Sequence, residues 1–381
     1  MQEHGVGRLI DREPQRRDKE KPSRGHMPDL FALAESETKM TPERHEKRDQ
    51  PADHIARERR EAEILHAAHG DEPVGGRGGA ADDHEETELM DQRKHDGRTR
   101  EGGGKNTERQ CIVVCADDFG MNREVDGAIL ALAAQGRLSA ASVLTLGPSA
   151  AERPADLAAL PIDIGVHLNF TESFGRDGLY LPLGQLIGQA YARRLPAALV
   201  RAQIVAQLDA FDALFGRAPD YIDGHQHVHQ LPVIRHELIA EMTRRYGVAM
   251  PWLRCTAAGP QSGLGLGAWF KARVIAGLGS HALGRAARRV HSARNRRLLG
   301  VYDFTGGEAG YGHAVRHWLR DARQGDLMMC HPALPNSPDA MAAQRAAEFA
   351  VLGSAEMDTW LAESGVAIAR LTGAARYTPG K

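Results

Sequence analysis

Short apolar runs alternate with amphipathic segments through the carboxyl-terminal two thirds of the chain. The run CIVVCA at 111–116 has the length of a buried strand, and the segment after it places Val125, Ile129 and Leu132 at helical spacing. Asn122 precedes this stripe and suits a helix N-cap. A helix between two strands returns the chain to the same end of a sheet, so the strands are predicted to be parallel.

The same pattern recurs along the chain. Further strands are predicted at 139–147, 162–168, 221–230, 250–255, 326–332 and 366–371, and helices at 149–160, 197–216, 232–247 and 312–325. Seven or eight strands predict an α/β fold, a (β/α) barrel over 109–375 that is either regular or distorted and seven-stranded. Residues 259–300 break the alternation and are predicted to be an inserted helical connection.

Residues 1–110 differ in composition from the rest. They contain 26 Asp or Glu, 21 Lys or Arg and one aromatic residue, Phe31. Such a segment cannot bury enough apolar surface to offset its ordering entropy, so 1–108 is predicted to be a disordered, charged tail. We expect a chain that begins near residue 108 to fold and act alone. We also expect the tail to lie outside the natural protein, through a misplaced start codon.

Several classes of partner are excluded by the remaining residues. Positions 111–381 hold 24 acidic and 27 basic side chains, and this near balance argues against binding of nucleic acid. The arginine-rich segment 284–297 is expected to be a solvated helical face. No apolar stretch approaches the roughly 20 residues of a membrane span, and no secretory signal is recognised, so a cytoplasmic location is predicted. The four cysteines form no CxxC pair, so neither a disulfide framework nor a cysteine zinc site is expected, and they are predicted to be small buried apolar residues. The sequence leaves open whether the protein forms a homo-oligomer.

The segment DGHQHVHQ at 223–230 places three histidines at alternate positions after an aspartate. In an extended strand His225, His227 and His229 would share one face, whereas on a helix they would diverge. Imidazoles gathered in this way bind metals of intermediate softness. A solvated polar strand end explains them equally well, so the segment alone leaves both interpretations open.

Polar side chains also end other predicted strands, where the active site of a parallel barrel lies. These ends carry Asp117, Asp118, His167, Asp223, His225, His227, His229, Arg254 and His331. Taken singly, Asp118 suits a helix cap, His167 a hydrogen-bonded core histidine and His331 a strand terminus. Because all these separate explanations would have to hold at once, the gathering of acids and imidazoles on one rim favours a metal centre.

Four motifs carry a family resemblance: ADDFG, GVHLN, DGHQHVHQ and MCHPA, in this order. Over about residues 110–373 the chain resembles the YdjC family of carbohydrate deacetylases, which includes chitooligosaccharide deacetylases and a hopanoid-associated member. The resemblance implies a barrel of the glycoside hydrolase/deacetylase type, related to the polysaccharide deacetylases. It also implies one divalent metal ion, held by Asp118, His167 and His225, with Asp117 as the catalytic base. This ligand set suits zinc, magnesium, manganese or cobalt, of which magnesium and zinc are expected first.

The reaction implied by the resemblance is hydrolytic removal of an acetyl group from an N-acetylated amino sugar, a small-molecule substrate. Asp117 would take a proton from water, and His331 would protonate the leaving nitrogen. Arg254 is expected to orient Asp117 through a charge-assisted hydrogen bond. Ala333 stands where the family usually has a glycine after the late His-Pro.

Asp223, His227 and His229 are expected to hold the ligand histidines or to contact the sugar. Two other functions remain open. A metal-dependent phosphoesterase or amidohydrolase uses a similar barrel, although amidohydrolase sites usually begin with HxH on the first strand, where this chain has Asp-Asp. A non-catalytic sugar-binding barrel would need neither Asp117 nor the metal.

Overall fold

The computed structural model describes residues 109–261 and 263–373. The predicted tail at 1–108 and the last residues of the predicted barrel lie outside these ranges. The described strands are β1 (Gln110–Phe119), β2 (Ala140–Val143), β3 (Asp163–Leu168), β4 (Tyr221–Gly224), β5 (Trp252–Leu253), β6 (Leu298–Leu299), β7 (Leu327–Cys330) and β8 (Val366–Ile368).

The described helices cover the strand connections. They are α1 (Arg123–Ala134), α2 (Pro154–Ala158), α3 (Leu183–Tyr191), α4 (Ala197–Phe215), α5 (Ile234–Tyr246), α6 (Gly265–Gly277), α7 (Ser280–Arg289), α8 (Gly307–Asp321), α9 (Ala342–Gly353) and α10 (Ala355–Ser364). A 3₁₀ segment, His225–Gln230, follows β4. Among the described helices, none is both long and apolar enough to cross a membrane.

The strands pair in parallel in the order β5-β4-β3-β2-β1-β7-β6, and β8 pairs with the beginning of β1. Two isolated parallel bridges, Leu253 with Arg294 and Ala258 with Leu298, connect the segments at the two outer strands of this order. The predicted distorted (β/α) barrel is confirmed.

Alternate residues of β1 face two different cores. Ile112 and Val114 pack with helix residues such as Ile129, whereas Val113 and Cys115 pack with residues of other strands. This second cluster is the barrel interior, to which β2, β4, β5, β6 and β7 contribute Ala140, Tyr221, Trp252, Leu298, Leu327 and Met329. Since both faces of β1 are buried, its sequence reads as a continuous apolar run.

Helix α1 begins as its sequence predicts. The side chain of Asn122 accepts a hydrogen bond from the backbone N–H of Val125 at 2.9 Å. Such a cap stabilises a helix by ~1 kcal/mol relative to alanine. The cap fixes the path of the chain directly after the β1 motif, so it also helps to position Asp117 and Asp118. All four cysteines are free; Cys115, Cys255 and Cys330 are buried as predicted, whereas Cys111 is only partly buried.

The strand predicted at 221–230 is wrong beyond Gly224. The chain turns into the 3₁₀ segment there, and Gln226 and His227 have φ of 52° and 60°. These left-handed conformations do not fit a strand. His225, His227 and His229 therefore do not share a strand face.

The predicted insertion at 259–300 contains the expected helices, α6 and α7, but it ends in β6, which pairs with β7. A strand of two residues carries too little periodicity to be recognised. Helices α3, α9 and α10 were also absent from the sequence prediction.

Candidate metal centre and active site

The interior positions of the strands become polar at the carboxyl ends. Each of four polar residues lies two positions after an apolar residue of the barrel interior: Asp117 follows Cys115, Asp223 follows Tyr221, Arg254 follows Trp252 and His331 follows Met329. His167 of β3 pairs with Asp223 in the register and extends the same rim. Ordinary strand alternation therefore brings these predicted residues to one end of the barrel.

Asp117 and Asp118 are neighbours in sequence, yet both carboxylates lie beside His167. Its Nε2 is 3.9 Å from Oδ2 of Asp117 and 3.4 Å from Oδ1 of Asp118. A regular strand would send the two side chains to opposite faces. The β1–β2 register contains an extra β1 residue between Ala116 and Phe119, and Asp118 has a φ of 74°. This bulge turns Asp118 towards the side of Asp117, at the expense of a strained backbone that is typical of functional sites.

Asp118, His167 and His225 form a group that suits a metal ion, because their potential ligand atoms all lie within 4.8 Å of one another. Oδ1 of Asp118 is 2.9 Å from Nδ1 of His225 and 3.4 Å from Nε2 of His167. One carboxylate and two imidazoles are the donor set of a catalytic divalent site with open positions for water and substrate. The structure thus brings the three expected ligands together.

Asp223 orients His167. Nδ1 of His167 donates a hydrogen bond to Oδ1 of Asp223 at 2.6 Å, which leaves Nε2 facing Asp118. Carboxylates orient metal-binding imidazoles in this way. Burial lowers the pKa of His167, but Asp223 and Asp117 raise it to about 10. Without a metal, both ring nitrogens therefore carry a proton at neutral pH. A divalent cation at Nε2 would replace that proton, as metal binding to a titratable ligand requires.

Arg345 binds the second oxygen of Asp118. Its NH2 group is 2.7 Å from Oδ2, and both side chains are buried. Burial opposes the ionised form of Asp118, but His225 and Arg345 outweigh it and hold the pKa of Asp118 well below its usual range. Oδ1 alone is left to face the two histidines.

Arg254 contacts Asp117, as the sequence predicts. Its two terminal NH groups donate to the two carboxylate oxygens, each at 2.6 Å, and NH2 is also 2.6 Å from Oδ2 of Asp223. Burial opposes ionisation of Asp117, but Arg254, followed by His167 and His331, holds the pKa of Asp117 below its usual range. Asp117 is therefore ionised at neutral pH.

Cys115, Asp117 and Asp223 also bring potential ligand atoms close together. The guanidinium of Arg254 already lies among them, with NH2 2.9 Å from the sulfur. Burial raises the pKa of the Cys115 thiol to about 12. A resident cation and a protonated thiol make this second group a poor metal site.

His331 lies beside Asp117 at the end of β7. Its Nε2 is 3.8 Å from Oδ2 of Asp117, which is too long for a direct hydrogen bond. Burial lowers the pKa of His331 to about 4, although Asp117 and Asp118 oppose the shift, so the ring is neutral at neutral pH. The ring of Phe304 packs edge-on against it, with centroids 5.1 Å apart.

The three histidines after β4 have different surroundings. His225 reaches Asp118, whereas Nε2 of His229 donates to the backbone carbonyl of Arg254 at 3.0 Å. His227 is held in its left-handed conformation with a buried Nδ1 that has no hydrogen-bond partner. Burial, then Arg254 and His229, lowers the pKa of His227 well below its usual range, so this imidazole is neutral.

Two residues at the site, Arg345 and Glu348 of α9, were missed in the sequence. Glu348 accepts a hydrogen bond from the backbone N–H of His331 at 2.6 Å. Both charged residues occupy buried positions on the helix stripe that also contains Val351 and Leu352. Charged residues at core positions of an amphipathic helix are uncommon, and this is the signal that identifies them.

Comparison with known proteins finds relatives named as deacetylases, and two of them match this chain over nearly their own whole length. A mouse protein named carbohydrate deacetylase is 30% identical over 308 residues, which cover 71% of this chain and 96% of the relative. Its human counterpart, of the same name, is 31% identical over 311 residues, covering 72% and 94% of the two chains. A chitooligosaccharide deacetylase from an Enterobacter species is 32% identical over 147 residues, which cover 36% of this chain and 58% of that protein.

A solved structure shares the fold. It is an Enterococcus faecalis protein named for cellobiose-phosphate cleavage, with a TM-score of 0.52 and 19% identity over 69% of this chain and 98% of that one. The family described as YdjC-like protein matches residues 111–363, which include β1 through most of α10 and all the site residues described above. The chain therefore belongs to the YdjC-like family.

Proposed function

We propose that the protein is a metal-dependent carbohydrate deacetylase that removes the acetyl group of an N-acetylated amino sugar by hydrolysis. The observation that carries the proposal is the Asp118, His167 and His225 group, which lies directly beside the ion pair of Asp117 with Arg254. Amide hydrolysis by activated water requires a site for a Lewis acid and an ionised carboxylate that is fixed in position to accept the proton of the water.

The names of the relatives support the class of substrate. The mouse and human proteins are named carbohydrate deacetylases, and the bacterial proteins are named for chitooligosaccharides. Because the match spans nearly the whole of the mouse and human proteins, it supports a shared activity rather than a shared fragment.

Asp118, His167 and His225 would hold one divalent cation. The two imidazole nitrogens favour zinc over magnesium, and the carboxylate oxygen suits either ion. When bound, such an ion supplies Lewis acidity, which polarises a carbonyl oxygen and makes a nearby water more acidic. Asp223 and Arg345 prepare the donor set, since Asp223 fixes the tautomer of His167 and Arg345 occupies the second oxygen of Asp118.

Asp117 would accept a proton from the attacking water. Its carboxylate is kept ionised and fixed in direction by two hydrogen bonds from Arg254. The water oxygen then bonds to the acetyl carbon, the C–N bond breaks, and the amine leaves with a proton. The products are acetate and the free amino sugar.

His331 would supply the proton for the leaving nitrogen. In the resting site its ring is neutral, so it must first gain the proton that Asp117 removes. The 3.8 Å between His331 and Asp117 leaves this transfer to a bridging molecule, either water or the substrate itself.

The proposal is tested by product analysis. The purified protein is incubated with N-acetylglucosamine, its short β-linked oligosaccharides and a phosphorylated disaccharide, and acetate, free amine and inorganic phosphate are measured. We expect acetate and amine in equal amounts from at least one N-acetylated sugar, and much less from the Asp117→Asn protein. Release of phosphate without acetate would support a phosphoesterase, and sugar binding without any product would support the binding-barrel alternative.

A further inference from the structure

One face of α9 contacts the site at two places. Arg345 binds Asp118, and Glu348, three residues later, accepts the backbone N–H of His331 through its Oε2. Residues three apart lie on the same helix face. The helix therefore contacts both the candidate metal ligands and the candidate proton donor.

Both oxygens of Glu348 are used, and the side chain is fully buried. Oε1 accepts a hydrogen bond from the hydroxyl of Tyr302 at 2.6 Å. The ring of Tyr302 lies 4.8 Å from that of Phe304, and Phe304 in turn packs on the imidazole of His331. Glu348 thus holds His331 directly by its backbone and indirectly through Tyr302 and Phe304, of which Phe304 packs on the imidazole.

A carboxyl group at position 348 does not make the folded protein more stable than an apolar side chain would. Burial raises the pKa of Glu348 to about 7, although Tyr302, the His331 N–H and Arg345 oppose the shift. The polar groups that face it come from several elements: Tyr302 and His331 from the segments after β6 and β7, Cys330 from β7, Tyr311 from α8 and Arg345 from α9 itself. A well-packed apolar side chain would avoid the desolvation cost.

We propose that Glu348 is a positioning residue that holds the imidazole of His331 beside Asp117, in place to protonate the leaving nitrogen. This inference rests on the deacetylase function proposed above. When ionised, above its raised pKa, Glu348 offers one acceptor oxygen to each of two donors, whereas glutamine offers one oxygen and one NH2 group. In Glu348→Gln, either His331 or Tyr302 must therefore lose its acceptor, and the side chain keeps nearly the same volume.

A double-variant cycle separates positioning from general support. Acetate release is measured for the wild type, Glu348→Gln, His331→Gln and the combined variant, and exposed Glu356→Gln is the matched control. We expect Glu348→Gln to lower kcat about ten- to hundredfold, a part of the 10²- to 10⁴-fold that an acid–base group supplies, with KM and bound metal unchanged. In the His331→Gln background the same change should have no further effect, because the residue it positions is gone. An equal loss in both backgrounds would overturn the proposal.

The position of His331 can also be followed without activity. Ring ¹⁵N signals of His331, identified by their loss in His331→Gln, should shift in Glu348→Gln and stay fixed in Glu356→Gln. Unchanged His331 signals in folded Glu348→Gln would overturn the proposal even if the wild type is an active deacetylase. Shifted signals in a protein that releases no acetate would instead reject the deacetylase function and keep the positioning contact.

Glu348→Asp provides a second variant in case Glu348→Gln fails to fold. Aspartate keeps two acceptor oxygens but has a shorter reach, so we expect it to shift the His331 signals less than glutamine does and to retain more of kcat. A Glu348→Asp protein with wild-type signals and a tenfold loss of kcat would count against positioning through His331.

Discussion

Nδ1 of His167 lies 2.6 Å from Oδ1 of Asp223, and this contact turns the other ring nitrogen towards Asp118. The register of β3 and β4 places these two residues directly opposite each other, so the sheet itself sets the orientation of the imidazole. A candidate ligand is therefore fixed by backbone pairing before any metal arrives.

Asp223→Asn should weaken metal binding. The amide cannot receive the Nδ1 proton as strongly as the carboxylate does, and loss of such a partner typically costs 10- to 100-fold in affinity. Metal titration with a competing chelator measures the change. Asp177→Asn, which alters an exposed carboxylate, is the control. An Asp223→Asn protein with wild-type metal affinity would remove Asp223 from the metal site.

Replacement of Asp118, His167 or His225 by alanine should abolish tight metal binding. Three protein ligands leave no redundancy, because each contributes one of the few donors. Metal analysis of the purified, folded variants gives the result. Full stoichiometric metal in any one of them would exclude that residue as a ligand.

Asp117→Asn should keep its metal and lose about 10²- to 10⁴-fold in kcat, the range expected for loss of a general base. The asparagine can still accept a hydrogen bond from Arg254, so the fold around it should persist. Metal content and acetate release are measured on the same sample. Near-normal turnover would assign the base to another residue.

The pH dependence of stability should differ between the wild type and Glu348→Gln. Burial raises the pKa of Glu348 from 4.5 to about 7, so folding favours the protonated carboxyl. Its contribution is fully present below pH 4.5 and is lost as the pH rises through 7, a change of up to about 3 kcal/mol in the free energy of unfolding.

Glutamine does not titrate, so the variant should gain stability relative to the wild type between pH 4.5 and pH 8. Urea unfolding at several pH values measures both proteins. A stability difference that stays constant with pH would show that Glu348 keeps an ordinary pKa in the folded state.

The sequence predicts the barrel and the residues on its rim because both follow from short-range patterns. Strand alternation carries the interior face of β1 from Val113 through Cys115 to Asp117, and the motif at β3 places His167 in the same way. The ion pair of Arg254 with Asp117 was also expected, since both residues end strands that meet at one rim.

Other features depend on contacts that are distant in sequence or on unusual backbone conformations. His227 adopts a left-handed φ that only its tertiary surroundings support, so alternation misplaced the residues after Gly224. Arg345 reaches Asp118 from 227 positions away, and no local pattern links the two. Glu348 shares with Arg345 one local signal, a charged residue on the apolar stripe of a helix, but that signal does not say which residues it contacts.

Acetate release and bound metal, measured together, show whether the reaction depends on the metal. The protein is stripped with a chelator, zinc or magnesium is added back in steps, and both quantities are measured for the wild type and for Asp118→Ala. We predict no release from the stripped protein, and a rate that rises in proportion to bound metal up to one ion per chain in the wild type only. Full acetate release by the metal-free wild type would contradict a metal-dependent deacetylase. So would one bound metal ion per chain without any acetate release from N-acetylated sugars.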